Sequence, residues 1–149
     1  MIRNILIATD GSETAMKAAE YAAGLAKQTG ATVTALSVVD ESIFMSKSVP
    51  GAATPTHLTE PIGDYLRQAA AGYLEATKDL CGKHGIQVKT LIRSGHPVQE
   101  IIWEAEESGT DLIVVGSRGR SALLASVIGS VAYGVVHRET KIPVLIVRG

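Results

Sequence analysis

Short apolar runs rich in β-branched residues alternate along the chain with longer stretches of helical periodicity. The first run, over residues 2–8, ends at Thr9-Asp10-Gly11-Ser12. Ser12 is placed to cap a helix over about 13–28, with Glu13 favourable in its first turn. That stretch is rich in alanine, stops at Gly30, and would press an alanine face close against a sheet. A second strand is predicted over 33–39. Residues 40–63 hold Pro50, Pro55 and Pro61 among many Ser and Thr, and are expected to form a long loop. A helix follows over 64–84, closed by Gly85, with Tyr65, Ala69 and Tyr73 four apart and Leu66, Leu74 and Leu80 near the same face. A third strand is predicted over 86–93. Pro97 fits the first turn of a helix in which Val98, Ile101, Ile102 and Ala105 follow i, i+3, i+4, i+7 spacing up to Gly109. Residues 112–115 form a continuous apolar strand, as in a parallel sheet covered on both faces. Gly129 or Ser130 opens a last helix to about Arg138, and 143–147 is a fifth strand.

Five strands alternating with four helical stretches predict one α/β domain over 1–149, a doubly wound parallel sheet with right-handed crossovers. In such sheets ligands sit outside the carboxyl ends of the strands, where strand order reverses. Two strand ends carry unusual residues: Asp10-Gly11-Ser12 and Gly116-Ser117-Arg118-Gly119.

Composition narrows the function. Over 149 residues, 46% are hydrophobic and 19% charged, which is globular composition. Lys plus Arg is 14 against Asp plus Glu 15, so the basic footprint of a nucleic-acid binder is missing. Aromatic residues at 4% are too few for a base-stacking platform. Cys81 is the single cysteine and suits a reducing compartment. No apolar run approaches the roughly 18 residues of a membrane span, and the start of the chain lacks the pattern of a signal peptide. A cytoplasmic protein with neither nucleic-acid nor membrane partners is expected.

After the fourth strand come Gly116-Ser117-Arg118-Gly119, then nine residues, then Gly129-Ser130. A loop of this kind offers backbone N–H groups unobstructed by Cβ, and its last part opens a helix whose N-terminus favours an anion. Ser130 adds a hydroxyl, and Arg118 and Arg120 add positive charge. The loop suits a polyphosphate; its glycines would equally serve turns and close helix–strand packing. No Gly-Lys-Ser/Thr of a Walker loop, no G-x-G-x-x-G after a strand and no G-x-S-x-G elbow occurs.

At these residues the chain resembles the universal stress protein family, through Ala8-Thr9-Asp10-Gly11-Ser12-Glu13, Gly95-His96-Pro97, 111–119 and 143–147. Gly116, Gly119, Gly129 and Ser130 match the G-x2-G-x9-G-[S/T] pattern of the family's ATP-binding branch. The resemblance implies a Rossmann-like sheet of order 3-2-1-4-5, of the adenine nucleotide alpha hydrolase-like kind. It also implies bound ATP, or ADP or AMP, with Mg²⁺ carried through the phosphates. Gly116 and Gly119 would line the ribose and first phosphates; Gly129, Ser130 and the backbone of Val131 would take the later ones. Asp10 would face the ribose or Mg²⁺, and Val38 and Val39 would meet the adenine through their backbone. Thr9, Ser117 and Arg118 complete the expected site. A stress-response role, an unidentified regulatory partner and a homodimer through the fifth strand are implied in the same way.

Other residues read more plainly. His57, His84, His96 and His137 are scattered without metal-ligand spacing. His96 shapes a helix start, Cys81 is packing, Trp103 is half-buried, and Glu104, Glu106 and Glu107 form a solvated face. Ser121 and Ser126 shape the glycine loop. No catalytic residue can be named, because no general base for water attack on a γ-phosphate is visible. A slow ATPase or autophosphorylating enzyme and an interaction module with a vestigial pocket stand as alternatives. A flavin domain is disfavoured by the few aromatics, and an ATP pyrophosphatase lacks its serine-glycine loop after strand one. Residues 46–58 are expected to act as a mobile flap.

Overall fold

The computed structural model describes residues 1–40, 56–118, 129–138 and 140–149, with backbone alone for 56–60. The elements run β1 (Asn4–Ala8), α1 (Glu13–Thr29), β2 (Thr32–Val39), α2 (Thr56–Lys83), β3 (Val88–Ser94), α3 (Pro97–Glu107), β4 (Leu112–Gly116), α4 (Ser130–His137) and β5 (Val144–Val147). The strands form one parallel sheet in the order β3-β2-β1-β4-β5, as expected. Strand alternation sends Ile5, Ile7, Val33, Ala35 and Val114 toward α1 and α2. Leu6, Leu36, Ile113 and Val115 point instead toward α3 and α4. β1 lies at the centre of the sheet, so its Ile5, Leu6 and Ile7 are all buried.

α1 begins where Ser12 accepts the Ala15 amide at 3.3 Å and ends at the Gly30 cap, whose N–H bonds Ala26. Its sheet-facing stripe is alanine from Ala15 to Ala26, which lets the helix axis approach the strands closely. The expected flap over 46–58 lies mostly outside the described residues, but its last part does not. The chain is already helical at Thr56, so the expected loop through residue 63 is corrected. Pro61 lies inside this helix in its second turn, where it removes the bond to the carbonyl four residues back and its ring crowds that carbonyl, a local cost near one end of a long helix. Of the face expected for this helix, Leu74 is buried, Leu80 packs on the core and Leu66, Ala69 and Tyr73 are partly buried, while Tyr65 departs from it at 70% exposure; Ala70, Thr77 and Cys81 join the buried side. The Thr77 hydroxyl donates to the Tyr73 carbonyl at 2.9 Å, and burial pushes the Cys81 thiol up to about 11, which leaves it packing and inert.

α3 starts with Pro97 after His96, whose side chain makes no capping bond. Its apolar stripe is buried as the spacing requires. Glu104 departs from the expected solvated face. Arg93 of β3 bonds Glu100 at 2.7 Å and Glu104 at 3.4 Å while its guanidinium lies 4.2 Å from the Trp103 ring centroid. Trp103 is 49% exposed, so the cluster clips an edge strand to a helix at the surface.

At the amino edge of the sheet, Asp111 accepts the amides of Arg3 at 2.8 Å and Asn4 at 2.9 Å. These bonds hold its carboxyl below the usual carboxylate value of 3.8. A carboxylate lowered on folding stabilises above its unfolded value and loses that contribution as pH falls through the folded one. Asp111→Asn should therefore lower the melting temperature at pH 7 by a few degrees, and its deficit against wild type should vanish in acid below the ordinary carboxylate range. Thermal melts from pH 7 to pH 2.5 check this; a deficit that persists unchanged in acid contradicts it.

Candidate functional site

The strand order reverses between β1 and β4, and the chain after each is tied down by its own hydroxyls. Thr9 donates its amide to Leu36 O at 2.9 Å, and its Oγ1 accepts the Gly11 amide at 3.1 Å. Asp10 Oδ1 accepts the Ser12 amide at 2.9 Å, so Asp10 and Gly11 form a turn. Gly11 has φ +74°, and a Cβ there would meet the Tyr73 ring at 2.2 Å. The first turn thus requires glycine twice over, for its backbone and for the aromatic ring lying on it.

Gly116 is equally constrained. A Cβ on it would lie 2.5 Å from Thr14 Oγ1 and 2.7 Å from the Ala15 amide nitrogen. Beyond it, Thr14 Oγ1 donates to Arg118 O and accepts the Arg118 amide at 3.2 Å, while Ser12 Oγ donates to the same carbonyl at 3.1 Å. Sequence reasoning missed this role of Thr14. The signal was a threonine in the first turn of a helix that had to meet a glycine strand end.

Ser117 does not line the cleft. Its amide is spent on Val147 O at 2.8 Å, and its carbonyl accepts the Gly129 amide. The Gly129 N–H is therefore committed to closing the base of the glycine loop. Gly129 has φ −67° and ψ 159°, open to any residue, and supplies no side-chain cap. The N–H groups of Ser130, Val131 and Ala132 occupy the first turn of α4, where a helix has no internal acceptor for them. Gly119, with Arg120, Ser121 and Ser126, lies outside the described residues.

These ends enclose a cleft of about 310 Å³. Of the residues expected from sequence, Thr9, Asp10, Val38, Val39, Gly116, Arg118, Gly129, Ser130 and Val131 line it. One assignment at the β2 end needs correcting. Val39 gives its carbonyl to the Gly95 amide at 3.0 Å, on the β3 side. Alternation then turns the peptide groups of Val38 toward β1, which ends at Ala8. The backbone edge at this end belongs to Val38 rather than to both valines. The far wall was not expected: Leu66, Ala70 and Tyr73 of α2, with Pro97 and Ile101 of α3, also line the cleft. Their apolar spacing marked them as core, and nothing local shows that a core stripe runs on past the sheet. Among the described residues no three His, Cys, Asp or Glu side chains gather as a metal site. No helix of the described residues is long and apolar enough to cross a membrane.

Comparison with known proteins agrees with this architecture. The model of the Universal stress protein family matches residues 1–148. Universal stress protein YxiE of Bacillus subtilis is 37% identical over 99% of this chain and 100% of its own. The solved structure of MJ0577, a universal stress protein of Methanocaldococcus jannaschii, superposes with a TM-score of 0.84 at 30% identity, covering 100% of this chain and 97% of that one. Universal stress protein UspA of Lactobacillus plantarum gives 0.80 at 27% identity, covering 99% and 98%. Two more distant structures, at 22% and 19% identity, hold cAMP and dAMP, and at that distance their likeness speaks for the fold alone. By sequence over nearly its whole length, and by fold, the chain belongs to the universal stress protein family.

Proposed function

We propose that the chain binds an adenine nucleotide, ATP with Mg²⁺ carried through its phosphates, and acts as a nucleotide-dependent regulatory module in stress responses. The observation that carries this is a cleft with unlike ends. At one end the first-turn amides of α4 suit phosphate. At the other, Val38, Leu66 and Ala70 form an apolar slot beside a backbone edge, which suits a flat base. The order β2-β1-β4 separates the ends by two strand spacings, about 10 Å, which accommodates a nucleotide laid across the strand ends. Asp10, between them, would face the ribose or the metal. Bound ATP supplies a charged, exchangeable phosphate chain; the protein's part is to grip it and fix the loop after β4. The nucleotide state would then be read by a partner protein.

Nucleotide-free protein should bind ATP with Mg²⁺ in calorimetry, and absence of binding at millimolar ATP would sink the reading. Gly129→Val should weaken ATP by about a hundredfold or more. Its backbone angles tolerate valine, but the branched side chain would stand before the Ser130 and Val131 amides and remove two charge-assisted bonds, each worth about 1.5–3 kcal/mol. Unchanged affinity with unchanged circular dichroism would show that phosphate does not bind there.

The chain is also proposed to form a homodimer through β5. That strand is at the sheet edge, and all four of its residues remain only partly buried. Antiparallel pairing about a two-fold axis would satisfy the open edge. Val144 and Ile146 share the α3–α4 face, and Leu145 and Val147 share the α1 face. Sedimentation at micromolar concentration should give a dimer, and lysine on only one of these two faces should dissociate it without unfolding. A monomer would refute the pairing.

A further inference from the structure

The nucleotide reading leaves one buried hydroxyl in the cleft without a task. Ser37, near the end of β2, is 3% exposed and lines the cleft. Strand alternation puts its side chain on the face of Val33 and Ala35, toward α1 and α2. From α2 the nearest cleft walls are Leu66, Ala69, Ala70 and Tyr73. Of the comparably buried hydroxyls, Thr9 takes the Gly11 amide, Thr14 holds Arg118 and Thr77 bonds the Tyr73 carbonyl, while that of Ser117, which does not line the cleft, bonds no described residue. Ser37 Oγ bonds no described residue. Yet among the described residues no fully sealed side-chain oxygen or nitrogen lacks a partner. The Ser37 hydroxyl is therefore not sealed: it opens into the cleft.

Alanine would fill this position at almost the same volume, so the hydroxyl adds little to the fold and is free to bond what enters the cleft, water in the empty protein or a polar atom of a ligand. Its place decides what that is. Ser37 lies on β2, two strands from the amides of α4, so it faces the end assigned to the base and not the phosphates. It precedes Val38, whose peptide groups already offer one donor and one acceptor along the same edge.

We propose that Ser37 is a ligand-contacting residue whose hydroxyl hydrogen-bonds a nitrogen of the purine. The proposal rests on the nucleotide reading above and deepens it by naming a side chain that recognises the base. A hydroxyl can donate to a ring nitrogen or accept from an exocyclic amino group, so the contacted atom is found by deleting atoms from the ligand.

The test measures wild type and Ser37→Ala with ATP, 1-deaza-ATP, 3-deaza-ATP, 7-deaza-ATP, purine riboside triphosphate and inorganic triphosphate, all with Mg²⁺. Ser37→Ala should weaken ATP about five- to tenfold, the worth of one net hydrogen bond. It should leave inorganic triphosphate unaffected, and one base analogue should bind both proteins equally because it lacks the contacted nitrogen. The ligand-free variant should melt no lower than wild type, since no protein bond is lost. Unchanged ATP affinity in the variant overturns the proposal while leaving nucleotide binding intact. So does an equal loss for every base analogue, or a lower melting temperature without ligand. Wild type that binds no ATP at all overturns the nucleotide reading and this inference with it.

Discussion

The contact between Gly116 and the first turn of α1 is the constraint from which the rest of the cleft follows. β4 ends so close to Thr14 that hydrogen is the only substituent that fits. This closeness lets Thr14 and Ser12 grip the backbone of Arg118 as the chain leaves the sheet. The path is then fixed for Ser117, which holds β5 through Val147 and the start of α4 through Gly129. Four separate chain segments meet at one post. A methyl group at position 116 would push β4 from α1 and misplace the α4 amides without touching any of them. The first glycine of the motif is thus a packing residue as much as a lining one.

The two edges of the sheet divide the labour. At the carboxyl edge, polar backbone groups are aimed into a cleft, an arrangement that stabilises the empty protein little. At the amino edge, Asp111 joins β4 to the start of β1 through two amides. Between them, a core of Ile, Leu and Val on the strands and alanine on α1 keeps the edges in fixed relation. The Arg93 cluster adds a clip at the β3 edge, where the sheet has the least cover.

Period and punctuation made most of this fold legible. Ser12, Gly30, Gly85 and Pro97 mark helix ends by local chemistry, and the continuous apolar run before Gly116 marks a strand covered on both faces. Local chemistry also misled. Pro61 and Gly63 signal a loop, yet α2 tolerates both near its start. Glu104 looks solvated because its partner, Arg93, is on a different element. The glycine motif pointed to the strand ends that border the cleft, but not to which amides were spent: the commitment of Gly129 to Ser117 and of Val39 to Gly95 depends on how strands and loop close. Ser37 and Thr14 are ordinary in sequence and become notable only when a cleft and a close approach exist around them.

The length of α2 has a consequence of its own. Twenty-eight residues of helix extend about 42 Å, whereas the eight residues of β2 span about 26 Å, so the helix overruns the sheet it packs on. Its C-terminal part is anchored by Leu74, Thr77 and Cys81. Its N-terminal part carries the cleft wall at Leu66, with Ile62 and Tyr65 turned outward. A segment anchored at one end only would open, if it did, with its own free energy, separate from that of the sheet. Affinity then becomes a property of helix propensity: outward substitutions in the first turns of α2 would tune how often the wall is present, and so how tightly the cleft holds, without altering a single contact inside it.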